Sequence, residues 1–230
     1  MTWVKVCGMT SADECALAID AGADALGFVV DVSVSSPREI PAEEARRLID
    51  DVPSAVTTVL VTMMSEPTRL IELARAIPTD AIQVHGPRRL AAVEEVADSI
   101  AQAMIVGVSC EDPDIDEQAG VADAVLIDTP GRHGRGGTGR THDWTTTASL
   151  VDSLDVPVIV AGGLTPGNVA SAIREINPAG VDVATGVEAA PGVIDPDLVR
   201  AFIDRVGESN TADGSPPALG QRTNVSMGSR

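Results

Sequence analysis

Short apolar runs alternate with amphipathic stretches from residue 4 to about residue 206. The runs cover residues 4–7, 25–30, 56–62, 81–84, 104–108, 124–128, 158–161 and 181–184, and are dominated by Val, Ile, Leu and Ala. Near-continuous apolar composition is the pattern of strands buried on both faces of a parallel sheet. Between them, residues 11–21, 41–51, 66–76, 87–97, 114–119, 143–154, 166–176 and 196–206 read as helices, the fifth short and poorly periodic. Local chemistry supports several boundaries: Thr10 or Ser11 stands where the first helix needs a cap, Gly22 where it must end, and Asp143 ahead of the sixth. Eight strand and helix units in just over 200 residues predict an α/β protein, a single (β/α)8 TIM barrel over residues 1–206. A doubly wound sheet is the alternative, but the GxGxxG dinucleotide fingerprint is absent after the first strand. Residues 207–230, rich in Ser, Asn, Gly and Pro, have too little apolar surface to offset ordering entropy and are expected to form a disordered tail.

Composition narrows the partners. Aromatic residues make up 2% of the chain, which disfavours a nucleic-acid reader that stacks bases on exposed rings. A formal charge of −18 repels nucleic-acid backbones and anionic lipid alike, so neither is expected as a partner. Any anionic ligand has to be held by a local site. Lys5 is the only lysine among 16 basic residues, and Asp outnumbers Glu 21 to 13. Repulsion among so many carboxylates is tolerable where concentrated salt screens it, so the chain reads as one that works at high salt. The alternative is an ordinary acidic cytoplasmic protein, which stability in low and in molar KCl would separate. Cys7, Cys15 and Cys110 are odd in number and lack CxxC spacing, so neither a disulfide framework nor a zinc site is suggested. With no apolar run long enough for a membrane helix and no leader pattern, a soluble cytoplasmic protein is expected.

In a barrel of this kind function gathers where the strands end at their C-termini. Those positions hold Cys7, His85, Asp128, the glycines of 134–139, Gly162 with Gly163, and Thr185 with Gly186, while Arg38 lies in the second loop. Asp128 follows Ala-Val-Leu-Ile, and desolvation at such a site disfavours the ionised carboxyl, as a general acid near neutral pH requires. A loop ion pair with Arg132 or Arg135 is the structural alternative. Cys7 is open to two readings, a reactive thiol or a buried small hydrophobe; Cys15, inside the first helix, is assigned to packing. The glycines after strands seven and eight stand where barrels commonly bind phosphate through main-chain N–H groups. Lys5 shares the Cys7 face by the two-residue strand period and should point into the barrel, with Asp182 on the eighth strand as its counter-ion. A structural buried pair is favoured over direct catalysis, with Schiff-base chemistry the competing reading.

Taken in order, the motifs resemble those of the phosphoribosylanthranilate isomerase family, in an acidic, haloarchaeal-like version. They are Lys5-Val-Cys7-Gly-Met-Thr10, Gly27-Phe28, Ser36-Pro37-Arg38, Gln83-Val-His85-Gly86, Leu126-Ile-Asp128, Gly136-Gly-Thr-Gly139 with Asp143-Trp144, Ala161-Gly-Gly-Leu164 with Asn168-Val169, and Val181-Asp182 with Gly186-Val-Glu188. The resemblance implies a tryptophan-pathway enzyme that performs an Amadori rearrangement on a small phosphorylated substrate without metal or organic cofactor. It assigns Asp128 as general acid, Cys7 as general base and Arg38 as the grip on the anthranilate carboxylate. It also gives Gly162, Gly163, Thr185 and Gly186 to the phosphate, with Gly136 and Gly137 as a flexible cover. For His85, substrate contact and closure of a turn are equal readings. His142, which replaces a common aromatic, receives no role. The rival readings are another phosphate-binding barrel, such as indole-glycerol-phosphate synthase, and a non-catalytic phosphometabolite-binding protein. The former's reliance on catalytic lysines fits poorly with a single lysine. Monomer and homodimer are both compatible with the sequence.

Overall fold

A computed structural model describes residues 1–63, 66–86, 90–129 and 143–212. Eight parallel strands close into a barrel in sequence order: β1 (Trp3–Cys7), β2 (Ala25–Val29), β3 (Thr57–Thr62), β4 (Ala81–His85), β5 (Ala103–Ser109), β6 (Ala124–Asp128), β7 (Val158–Val160) and β8 (Gly180–Val183). Each is followed by a helix: α1 (Ala12–Ala21), α2 (Ala42–Asp50), α3 (Pro67–Ala76), α4 (Leu90–Ser99), α5 (Ile115–Ala119), α6 (Trp144–Ser153), α7 (Val169–Ile176) and α8 (Pro196–Ala212). The anticipated caps are in place. Ser11 accepts from the Glu14 N–H, Gly22 ends α1 in the left-handed region, and Asp143 accepts from the Thr145 N–H.

The two-residue strand period sorts the barrel into two apolar layers. Val4, Val6, Leu26, Phe28, Leu60, Ile82, Val106 and Ile127 face the helices and form most of the core with them. Ala25, Val59, Val61, Ala81, Ile105, Leu126 and Ile159 fill the interior, with Trp3 and Cys7 packed against them. Burying each Leu, Ile or Phe contributes about 1.5–3 kcal/mol, which lets a chain with so few aromatics hold a stable core.

At the N-terminal end of the barrel a repeated clasp joins neighbouring strands. Asp24, Asp80 and Asp123 each precede an even-numbered strand, and each carboxylate accepts from a main-chain N–H of the strand before, at Val4, Thr58 and Met104, all at 2.8 Å. The same aspartates return their own N–H to the carbonyls of Val4, Thr58 and Met104. At β7 and β8 the equivalent position is Ala179, which bonds through its backbone alone.

One expectation needs correction. The last helix does not stop near residue 206 but runs to Ala212, so the start of the expected tail belongs to the barrel. Its final turns are fastened by the Asn210 side chain, which accepts from the Thr2 N–H at 2.7 Å, and by an Arg205–Glu208 ion pair at 2.8 Å. The connection between β8 and α8 holds a 3-10 turn (Thr185–Val187) and a small antiparallel hairpin, β9 (Glu188–Ala190) and β10 (Val193–Ile194). Residues 213–230, the segment with Gly136 and Gly137, and the arginines considered as partners of Asp128 lie outside the described residues. Among the described residues no helix is long and apolar enough to cross a membrane.

Candidate active site

Lys5 and Cys7 project from the same face of β1 into the barrel mouth. Lys5 stands opposite Asp182 of β8 in register, and its ammonium, fully buried, lies 2.9 Å from Asp182 Oδ1. Cys7 stands opposite Gly27 of β2. A Cβ on Gly27 would fall 2.8 Å from Cys7 Sγ and 3.1 Å from Lys5 Nζ, so the bare backbone there lets thiol and ammonium share one space. Burial pushes the Cys7 thiol up; the Lys5 charge pulls the other way without cancelling it. Burial also opposes the charge on Lys5, but Asp182 and Cys7 together outweigh it and leave the ammonium above the ordinary lysine range.

Asp128 ends β6 across the mouth. Its Oδ1 accepts from the Thr129 N–H at 2.7 Å, and its Oδ2 lies 3.5 Å from His85 Nε2 at the end of β4. Burial holds this carboxyl above the usual range, against the opposing pull of His85 and the Thr129 N–H. Two glycines make the geometry possible. A Cβ on Gly107, the β5 partner of His85, would come within 2.6 Å of His85 Nδ1. Gly162 has φ of 81°, and a Cβ there would lie 2.5 Å from Asp128 Oδ1.

Arg38 reaches the mouth from the loop after β2 by lying across Gly8 (φ 93°), where a Cβ would collide with its side chain at 2.3 Å. Its Nε donates to Glu188 Oε1 at 2.6 Å, its Nη2 forms an ion pair with the same oxygen at 2.6 Å, and Gly192 N–H donates to that oxygen at 3.0 Å. The small hairpin therefore orients the arginine. Glu188 appears in the sequence only as the end of a motif; nothing there pairs it with a residue 150 positions away.

The loops after β7 and β8 press together into a small cup. Asn168 holds the first by donating to the Gly163 carbonyl at 2.9 Å and accepting from the Thr165 N–H at 2.7 Å. Among the described residues, the N–H groups of Gly163, Thr185 and Gly186 find no acceptor, as expected of donors left for an anion. The cup encloses about 120 Å³ lined by Gly162, Gly163, Leu164, Thr185 and Gly186, with Arg38 at its rim. A Cβ on Gly186 would lie 1.8 Å from the Leu164 carbonyl oxygen. Gly186→Ala must part the two loops, and is expected to cost roughly 1–3 kcal/mol, read by urea unfolding in molar KCl, and to weaken phosphate-dependent binding.

A larger cavity of about 470 Å³ adjoins the cup and is lined by Cys7, Arg38, Gln83, His85, Asp128 and Asp182 among others, beneath an apolar wall that includes Val29, Val61 and Leu126. One mouth thus collects Cys7, Arg38, His85, Asp128, Gly162, Gly163, Thr185 and Gly186. Glu188, and the space-making Gly27 and Gly107, are additions to that set. Cys15 is a packing residue: it is buried on α1, and its thiol is pushed up to about 12. No cluster of three or more His, Cys, Asp or Glu side chains among the described residues is arranged to hold a metal ion.

Comparison with known proteins agrees with this geometry. Residues 4–205 match the family described as N-(5'phosphoribosyl)anthranilate (PRA) isomerase. The N-(5'-phosphoribosyl)anthranilate isomerase of Haloferax volcanii is 46% identical over 223 residues, 94% of this chain and 96% of that protein. The crystal structure of phosphoribosyl anthranilate isomerase from Thermotoga maritima superposes with a TM-score of 0.78 at 34% identity, covering 90% of this chain and 100% of that one. A further isomerase structure, in complex with reduced 1-(o-carboxyphenylamino)-1-deoxyribulose 5-phosphate, gives a TM-score of 0.75 at 32% identity over 90% of this chain and 100% of that one. With the family matched along nearly the whole barrel and Asp128, Cys7 and the glycine cup gathered at one mouth, this chain belongs to the phosphoribosylanthranilate isomerase family.

Proposed function

We propose that this chain converts N-(5-phosphoribosyl)anthranilate to 1-(2-carboxyphenylamino)-1-deoxyribulose 5-phosphate, with Asp128 as general acid and Cys7 as general base. The observation that carries the reading is the single cavity lined by both groups and continuous with the anion cup. Its volume of about 470 Å³ lies within the ~300–1,000 Å³ usual for small-molecule sites.

Asp128, whose hold on its proton burial strengthens, gives that proton to the ribose ring oxygen, and the sugar opens to an iminium. The positive charge on that iminium acidifies C2′, and the Cys7 thiolate takes the C2′ proton. The enolamine then ketonises, losing its hydroxyl proton and gaining one at C1′. The ring oxygen and C1′ each gain a proton while C2′ and its hydroxyl each lose one, so the product is an isomer and no redox partner enters. Two groups in separately tuned environments supply the acid and the base. The phosphate occupies the cup lined by Gly162 and beneath the free N–H groups of Gly163, Thr185 and Gly186, a local site of the kind a chain of net charge −18 needs. Arg38 takes the anthranilate carboxylate with the donors that Glu188 leaves free. His85 contacts the substrate beside Asp128, and Gly136 and Gly137 are assigned to a cover over it.

Freshly generated phosphoribosylanthranilate, incubated with the protein in molar KCl, should lose fluorescence far faster than by spontaneous decay; no excess loss overturns the reading. Arg38→Ala removes a charge-assisted contact worth about 1.5–3 kcal/mol, so KM should rise roughly 10- to 100-fold with a smaller change in kcat. Glu188→Gln, which keeps an acceptor but loses the charge that orients the arginine, should raise KM by less. Steady-state kinetics checks both. The working form is read as a cytoplasmic monomer or homodimer, which sedimentation in molar KCl distinguishes.

A further inference from the structure

A thiol base works only as the thiolate, yet Cys7 sits where burial favours the neutral thiol. The compensating charge has to come from within the barrel. Six charged or titratable groups from six elements face the thiol's surroundings: Lys5 beside it on β1, Asp182 on β8, Arg38 from the loop after β2, His85 on β4, Asp128 on β6 and Glu188 on β9. Asp182 and an ionised Asp128 oppose a thiolate. The charge of Arg38 is offset by Glu188, 2.6 Å away, and His85 lies against Asp128. Lys5 alone is fully buried, cationic, and in the space the thiol occupies: its Nζ and Cys7 Sγ converge on the point above Gly27 where a Cβ would stand, at 3.1 Å and 2.8 Å.

The position is also singular in the chain. Every other basic side chain is an arginine. A guanidinium is planar and wide, whereas an ammonium is a compact point charge on a flexible stem, the form that fits between Asp182 and the thiol above a bare Gly27. A pair needed only for packing has no requirement to place its cation against the sulfur.

We propose that the Lys5 ammonium, seated on Asp182, is a positioning residue that stabilises the Cys7 thiolate and so supplies the enzyme with its base. Lys5 keeps its proton throughout; no bond to the substrate forms. Its charge lies beside the sulfur before and after the C2′ proton moves, and Asp182 holds it there. The inference rests on the assignment of Cys7 as base, and the two are tested separately.

Because Lys5 is the sole lysine, labelling with [13C,15N]lysine gives one side-chain Cε and Nζ signal from the intact protein. In molar KCl that signal should show a step at the pH midpoint of Cys7 alkylation by iodoacetamide, followed by mass spectrometry of the Cys7 peptide. Cys7→Ser should abolish the step. The double variant Lys5→Met with Asp182→Asn, which leaves no buried charge unpaired, should move the alkylation midpoint up by about one unit or more. Its kcat should recover as pH is raised, a response that a purely structural role does not give. A wild-type lysine signal without that step, or a folded double variant with an unmoved midpoint, overturns the proposal; should the double variant not fold, the wild-type signal decides alone. Normal turnover by Cys7→Ser would instead defeat the assignment of the base while leaving the Lys5 signal to be read on its own.

Discussion

Asp128→Asn is expected to lower kcat roughly 10²- to 10⁴-fold, the range for loss of a general acid, and at the same time to stabilise the fold at neutral pH. The amide retains an oxygen to accept from the Thr129 N–H, so the loop keeps its shape, but no proton is left for the ring oxygen. Stability follows from the direction in which burial moves the carboxyl. Its folded pKa is raised above the unfolded value, so between the two the folded chain holds a proton that the unfolded chain has released. Stability therefore declines as pH climbs through that window, and the full penalty is present above it. Asn carries no such penalty. The variant should melt higher than the wild type near neutrality, by about 2–4 °C for each kcal/mol relieved, and the gap should close below the ordinary aspartate pKa. Thermal melts across pH in molar KCl, set beside turnover of the fluorescent substrate, check both halves. Near-normal turnover would remove Asp128 from the mechanism, and an unchanged melting temperature would show that its burial costs nothing.

Cys7→Ser should reduce kcat to a similar degree, roughly 10²- to 10⁴-fold. The replacement is nearly isosteric and leaves the space over Gly27 in place, so the loss reads proton abstraction and not packing. A serine hydroxyl ionises far above a thiol, and the charge beside it on Lys5 does not close that gap at physiological pH. KM should change little, because the anion cup and Arg38 are untouched. Circular dichroism establishes the fold, and turnover by the serine variant within a few-fold of wild type would exclude the thiol as base.

The fold was legible because its signals are local or periodic. Strands buried on both faces show as unbroken apolar runs, and Ser11, Gly22 and Asp143 mark helix ends by chemistry that acts within a few residues. The Lys5–Asp182 pair was also within reach, since a closed barrel sets its first strand beside its last and a two-residue period gives the facing side. Other features depend on contacts that no local pattern encodes. The last helix reads as finished near residue 206 because its closing turns are polar, and what holds them is Thr2, at the other end of the chain. Strands of three and two residues are too short to show alternation, so the hairpin that carries Glu188 was hidden, and with it the anchor of Arg38. Gly27 and Gly107 stand inside strand patterns as ordinary small residues. Only the register that sets them opposite Cys7 and His85 shows that they are there to leave room.

The aspartate clasps at the foot of the barrel divide it into couples. β1 is tied to β2, β3 to β4, and β5 to β6, each by a carboxylate and an amide returning to one residue. The seams between couples, after α2 and after α4, carry no such tie among the described residues. New chain ends, or an inserted foreign domain, belong at those seams, because a break there leaves every clasp whole, whereas a break inside a couple severs the short tether that keeps its aspartate at hand. Three of the many acidic residues are thus joinery and not solvent dressing, and a redesign meant to lighten the surface charge has to leave them standing.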